Sequence, residues 1–238
     1  MTISHFRTIT SSLIISVSLL FTCQVVAKEH IELDAVIQNV IQAYGGAAAL
    51  EKVQAVKHKG TVQSHRLGKT GQLERLFVLP ASLRVDINYP GGPQEQRLTT
   101  PEGAWRSGRA APAPMHTAMK LQAARFQLPL LLTNKTVTLH DEDKDSVHLA
   151  VKLTDSTSIE VQVDKQNWQI VRSIGRMQMG NQALEFVADY SDFRKIGGVL
   201  FAHRESLMAM GRPTGIAILN KIEINPQNAA DTLRQQSQ

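Results

Sequence analysis

The chain holds a single cysteine, Cys23, among 238 residues. That cysteine falls in an N-terminal stretch that reads as an export signal, so the processed chain is expected to carry no thiol. A disulfide, a thiolate nucleophile and a thiolate metal site are all excluded for such a chain. Clustered charge is also missing. The formal net charge is +5, yet the lysines and arginines are scattered, with no run of five and no nucleic-acid-binding motif. A mildly basic surface of this kind suits work near anionic lipid headgroups. The sequence has no low-complexity tract, no strong internal repeat and no apolar run long enough to span a bilayer.

The motifs of catalysis are absent as well. Gly45-Gly46 is not a phosphate loop, because no strand precedes it, the Gly-rich spacing is too short and no Lys-Ser/Thr follows. No histidine pair has the His-Glu-x-x-His spacing. His140 and His148 flank an acidic turn and amount to two metal ligands at most. "DEDKDS" (141–146) has Ser146 where a calcium loop needs glycine and Lys152 where it needs an acid, so it reads as a charged hairpin turn. There is no Gly-x-Ser-x-Gly elbow. No cofactor and no enzymatic activity are expected, and an envelope hydrolase with an unrecognised site is the remote alternative.

What is present begins with Arg7, an apolar core "SSLIISVSLLF" and Val25-Val26-Ala27, a small-residue pattern that places cleavage before Lys28. Residues 1–27 are thus read as a signal peptide and the product as periplasmic. The second reading is a lipoprotein box, "LFTC", with lipid on Cys23. Next, Ile31, Leu33, Val36, Ile37, Val40, Ile41 and Tyr44 fall on one helical stripe, which Gly45-Gly46 ends with positive-φ capping. From Val56 the period becomes two. Leu83, Val85 and Ile87 alternate with Arg84 and Asp86, and Val147, Leu149 and Val151 with His148 and Ala150. Turns such as "LGKTG", "YPGGP" and "MGNQ" separate about eleven short strands. One helical segment, 115–128, interrupts them before Pro129. The fold class that follows is α+β: a strongly curved antiparallel sheet, an incomplete barrel, with an N-terminal amphipathic helix and a lid helix over its apolar face. One such half-barrel domain is expected over 28–225, with a polar tail at 226–238.

Four stretches carry a family resemblance: "YGGAAALEKVQAVKHKG" with Gly60; "LPASLRVDI" with Pro80, Leu83 and Arg84; "TTPEGAWRSG" with Gly103 and Trp105; and "ADYSDFRKIGGVLFAHRES" with Tyr190, Asp192, Phe193, Arg194, Gly198, Leu200 and Arg204. Together they resemble the LolA/LolB-like periplasmic lipoprotein-sorting superfamily, over nearly the whole processed chain. Ala202 departs from the pattern, standing where that family usually has proline. The resemblance implies an incomplete barrel with a helical lid around an apolar cavity for acyl chains. It also implies Arg84 as a polar contact near the cavity, whereas local alternation sets Arg84 opposite Leu83, Val85 and Ile87.

The methionines supply a reading independent of the family. Six of the seven fall in pairs, Met115/Met119, Met177/Met179 and Met208/Met210. A Gly180-Asn181 hairpin turn pairs Met179 with Gln182 and Met177 with Leu184, and puts Phe186, Ala188 and Tyr190 on the same face. Methionine suits surfaces that re-pack around varied apolar partners. The candidate cavity lining is therefore Met115, Met119, Phe126, Met177, Met179, Leu184, Phe186, Met208 and Met210. The function expected is a carrier for an acyl chain, a lipid or the lipid moiety of a lipoprotein, working with an inner- or outer-membrane partner protein. The alternative is a sensor or scaffold of the same fold that binds a protein and carries no lipid. Mass mapping of the exported protein is expected to find an N-terminus at Lys28; a diacylglycerol-modified peptide beginning at Cys23 would replace that reading with a membrane-anchored one.

Overall fold

The computed structural model describes residues 32–134 and 136–234; the expected export signal, its expected cleavage point before Lys28 and Cys23 lie outside the described residues. Helix α1 (Leu33–Ala43) buries Val36, Val40 and Ile41 on its apolar stripe and has Asp34 in its first turn, where the helix dipole favours an acid. Its end is built by the glycine pair. Gly46 N–H bonds the Ile41 carbonyl at 2.9 Å, and Gly45 and Gly46 have φ of +120° and +85°. A Cβ on Gly45 would lie 2.4 Å from the Gly198 carbonyl oxygen. The position therefore needs glycine for close approach as well as for its turn. Helix α2 (Ala47–Leu50) follows.

A first meander then runs through β1 (Ala55–Ser64), β2 (Lys69–Val78), β3 (Ser82–Asn88), β4 (Gln94–Thr99), β5 (Ala104–Arg106) and β6 (Arg109–Ala110). Helices α3 (Ala113–Arg125) and α4 (Leu131–Asn134) lead to a second meander. It comprises β7 (Val137–Glu142), β8 (Ser146–Lys152), β9 (Thr157–Asp164), β10 (Ile170–Met179), β11 (Gln182–Ile196), β12 (Val199–Ala209) and β13 (Arg212–Ile224), and α5 (Ala229–Arg234) follows it. The thirteen strands make one curved antiparallel sheet in the order β6-β5-β4-β3-β2-β1-β13-β12-β11-β10-β9-β8-β7. The sheet is not closed: β6 and β7 are its two edges, and α3 packs against β4 and β5 on one side and β9 and β10 on the other.

Three features differ from the sequence reading. The thirteen strands exceed the expected eleven or so, and one of them, β6, is a two-residue strand just before the expected lid helix. The lid helix ends at Arg125, short of residue 128, because its last turns tighten: the amides of Phe126, Gln127 and Leu128 each bond the carbonyl three residues back. The polar tail contains α5, which buries Leu233 against Leu76 and Leu98 on the sheet.

Only one ladder joins the two meanders, β1 with β13. Its register shifts between Lys59 and Gly60, a bulge that bends the strand. At that bulge a Cβ on Gly60 would sit 1.9 Å from the Ile218 carbonyl oxygen. Gly60→Ala should therefore part the seam, costing at least about 2 kcal/mol and lowering Tm by roughly 4–8 °C. Gly175→Ala makes the contrast, since its Cβ would meet Leu121 at an ordinary 3.7 Å. Thermal unfolding followed by circular dichroism checks both; equal melting of the two variants would refute the seam's dependence on Gly60.

Candidate functional site

Period-two alternation sends Leu73, Arg75 and Phe77 of β2 and Val56, His58 and Val62 of β1 to the inner face of the sheet. On β12 it sends Phe201, His203, Glu205 and Leu207 inward. Arg75 Nη1 donates to Glu205 Oε2 at 2.8 Å, and both side chains are buried. In the strand order β2-β1-β13-β12 this ion pair reaches over two intervening strands. Ala217, opposite Glu205 on β13, is small enough to lie beneath it.

Phe126, the residue that ends α3, roofs this pair. Its ring lies 5.1 Å from the Arg75 guanidinium carbon, stacks on Phe77 at 5.7 Å and tilts against His58 at 5.7 Å. The contact with Arg75 is a desolvated cation–π arrangement. His58 also meets Phe201 edge-on, and neither of its ring nitrogens has a hydrogen-bond partner. Burial first, then the charge of Arg75 and the neighbouring His203, hold the His58 imidazole well below its ordinary pKa. His203 Nδ1 bonds the Leu219 carbonyl at 2.7 Å. The Tyr190 hydroxyl shares a 2.7 Å hydrogen bond with Ser173 Oγ, and burial pushes its pKa up.

These groups border a cavity of about 140 Å³. Val53, Phe77, Leu79, Ala188 and Phe193 contribute to its apolar wall, and Arg125 through Leu130 form its roof. On the other side of α3 an open groove of about 530 Å³ lies between Ile87, Tyr89, Met115, Met119, Phe186 and Met208. Gln122 and Arg125 border both spaces. In the groove Gln122 Oε1 accepts from Arg97 Nη1 at 3.2 Å. Burial holds the Arg97 guanidinium below its ordinary pKa against the opposing pull of Glu95.

The structure thus divides the nine apolar residues singled out from the sequence. Phe126 borders the cavity, while Met115, Met119, Phe186 and Met208 meet around the groove. Met177 is buried in the main core, with Leu184 packed at its side. Met179 and Met210 are 42% and 52% exposed at hairpin tips. The β10–β11 register is the one counted from the Gly180-Asn181 turn, Met179 with Gln182 and Met177 with Leu184. The β11–β12 register continues without a shift. Phe186 faces Ala209 and Ala188 faces Leu207, so Leu207 shares their face, while Met208, opposite Val187, and Met210 take the other alternation. Arg84 stands away from the cavity: its Nε and Nη2 bond Asp86 at 2.5 and 2.9 Å, beside Gln96.

Sequence reasoning missed Arg75, Glu205, His58 and Arg125. A signal for three of them is present: a charged or ionisable residue at an inward position of an alternating strand, as in Leu73-x-Arg75-x-Phe77. On the outer face Ser146, His148 and Glu160 line up in the order of a hydrolytic triad, at 3.3 and 3.2 Å. Chemistry there is blocked, because Ser146 is buried and its Oγ donates to Asp143 at 2.8 Å. Burial raises the Glu160 pKa, but hydrogen bonds from Arg176 and His148 outweigh it and leave the carboxyl below its usual range. Among the described residues no group of three metal-ligating side chains could hold a metal ion.

No protein-family model matches the chain, and no curated protein matches it in sequence. Solved structures do. One is a Vibrio parahaemolyticus domain described as outer membrane lipoprotein-sorting, with 11% identity over 85% of this chain and 97% of that one and a TM-score of 0.51. Another is a LolA superfamily protein from Nitrosomonas europaea, with 10% identity over 83% and 95% and a TM-score of 0.50. The fold is LolA-like.

The buried imidazole sets a pH dependence. His58 stays neutral in the folded chain, whereas in the unfolded chain it takes a proton near pH 6.5. Its folded pKa is depressed, so the stability it allows is complete above about 6.5 and declines as pH falls below that value. Between pH 7.5 and 5.5 this loss is about 1.4 kcal/mol, or roughly 3–6 °C in Tm. His58→Phe, which keeps an aromatic ring beside Phe126 and Phe201, should melt with a correspondingly smaller acid shift. Parallel Tm–pH curves for the two proteins would refute the assignment.

Proposed function

We propose that this chain is an exported, non-enzymatic binding protein of the periplasm that shelters one acyl chain between its sheet and the roof formed by α3 and residues 126–130. The observation that carries the reading is the cavity. Its walls come from both meanders and are largely apolar, and its roof is a short helix end and a turn. A volume near 140 Å³ matches an engineered cavity of about 150 Å³ that takes benzene, so a full acyl chain enters only as the roof lifts. Each methylene buried contributes about 0.8 kcal/mol, which makes part of one chain sufficient for binding. The cargo is a free acyl lipid or the lipid moiety of a lipoprotein, received from and passed to membrane partners. The LolA-like fold supports carriage, since the two similar structures bear sorting and LolA descriptions.

A scaffold of the same fold would hold no lipid, and this separates the readings. Protein purified from the cell envelope without detergent is expected to release acyl chains on organic extraction, detected by mass spectrometry. Delipidated protein should take up a neutral pyrene-labelled alkane. Ala188→Phe fills the cavity from its wall and should weaken that uptake at least tenfold with the sheet intact by circular dichroism. Extracts free of acyl chains together with no probe uptake would overturn the proposal.

A further inference from the structure

The polar atoms of the cavity point to a head-group site, an inference that rests on the acyl-chain reading above. Arg75 is 4% exposed, and of its three nitrogens only Nη1 is engaged, by Glu205. Nε and Nη2 have no partner among the described residues. Those two atoms form one edge of the guanidinium, the pair of parallel N–H groups that matches the two oxygens of a carboxylate. The same edge of Arg84 grips Asp86 in this protein, through Nε and Nη2.

The edge is held in place. Glu205 anchors one corner of the guanidinium and the Phe126 ring covers it, itself stacked on Phe77. Arg125 borders the same cavity and its Nη1 also lacks a partner. His58 adds a ring with both nitrogens unpartnered beside Arg75. A pair kept for structure alone has a cheaper form, because well-packed apolar residues commonly replace buried ion pairs without loss of stability. The charges select the ligand. Arg75 and Glu205 cancel, and Arg125 leaves one positive charge in surplus, which fits a singly charged oxyanion better than a phosphate dianion set near Glu205.

We infer that the cavity binds a single-chain carboxylate amphiphile, a free fatty acid, with its carboxylate on the Nε/Nη2 edge of Arg75 and on Arg125. Its tail lies along Val53, Leu79, Leu128 and Leu200. Phe126 shifts off the guanidinium as the carboxylate arrives and closes over the first methylenes.

Calorimetry with delipidated full-length processed protein tests this, using dodecanoate and dodecan-1-ol, which share a chain and differ in the head. Dodecanoate is expected to bind on the order of tenfold to a hundredfold more tightly, the range for hydrogen bonds to charged groups. The double substitution Arg75→Gln with Glu205→Gln leaves no unpaired buried charge. It should erase that preference while the alcohol's affinity stays within about threefold. Arg125→Gln should erode the preference in the same direction and serves if the double variant fails to fold. Equal affinity of the unsubstituted protein for acid and alcohol would overturn the head-group site and leave acyl binding standing. Binding of neither would remove the acyl-chain reading and this inference with it.

Discussion

The pairing of β1 with β13 is the contact on which the rest depends. Every other ladder joins strands that are neighbours in the chain, so each meander could form by local turns alone. The seam joins residues far apart in sequence and must offset a large loop-closure entropy. Its geometry is tight at Gly60, where the β13 backbone takes the space a side chain would need. Once made, it turns the inner faces of both meanders toward one space. Arg75 from the first then meets Glu205 from the second.

That meeting explains why the cavity is not simply greasy. A charge in an apolar interior costs several kcal/mol unless it is paired and hydrogen-bonded. The ion pair meets that requirement for Glu205 but leaves two of the three Arg75 guanidinium nitrogens without a partner among the described residues. Phe126 gives partial compensation through its ring face. On the acyl-chain reading proposed above, the apolar walls hold hydrocarbon and the polar corner around Arg75 distinguishes one head from another.

Much of the scaffold was legible in the chain. The α1 stripe, the glycine stop, the alternation in β8 and β9 and the β10–β11 register follow from spacing and turn chemistry, which are local. The errors lie where shared spacing was taken for a shared site. The β10–β11 and β11–β12 registers run through without a shift and set Met208 opposite Val187, so Met208 and Met210 take the alternation opposite to Phe186 and Ala188. The cavity's polar groups escaped for a different reason. Period-two reasoning treats a charged residue as outward by default. Arg84, between Leu83 and Val85, obeys that default, while Arg75 shares its face with Leu73 and Phe77 and points inward. A partner 130 residues away is what satisfies the charge there. Likewise α5 was hidden because Leu233 is the one large apolar residue in a polar stretch, and only Leu76 and Leu98 give it a place to go.

The roof has its own consequence. Helices α3 and α4 run from the β6 edge of the sheet to the β7 edge, so the covering is tied down at both eaves. A cover hinged on one side swings without disturbing the walls; one fastened on two must either stretch its own turn at 126–130 or draw the edges with it. On the acyl-chain reading proposed above, filling the interior would therefore be felt in the spacing of β6 and β7, and a partner holding those two edges would act on cargo it never touched.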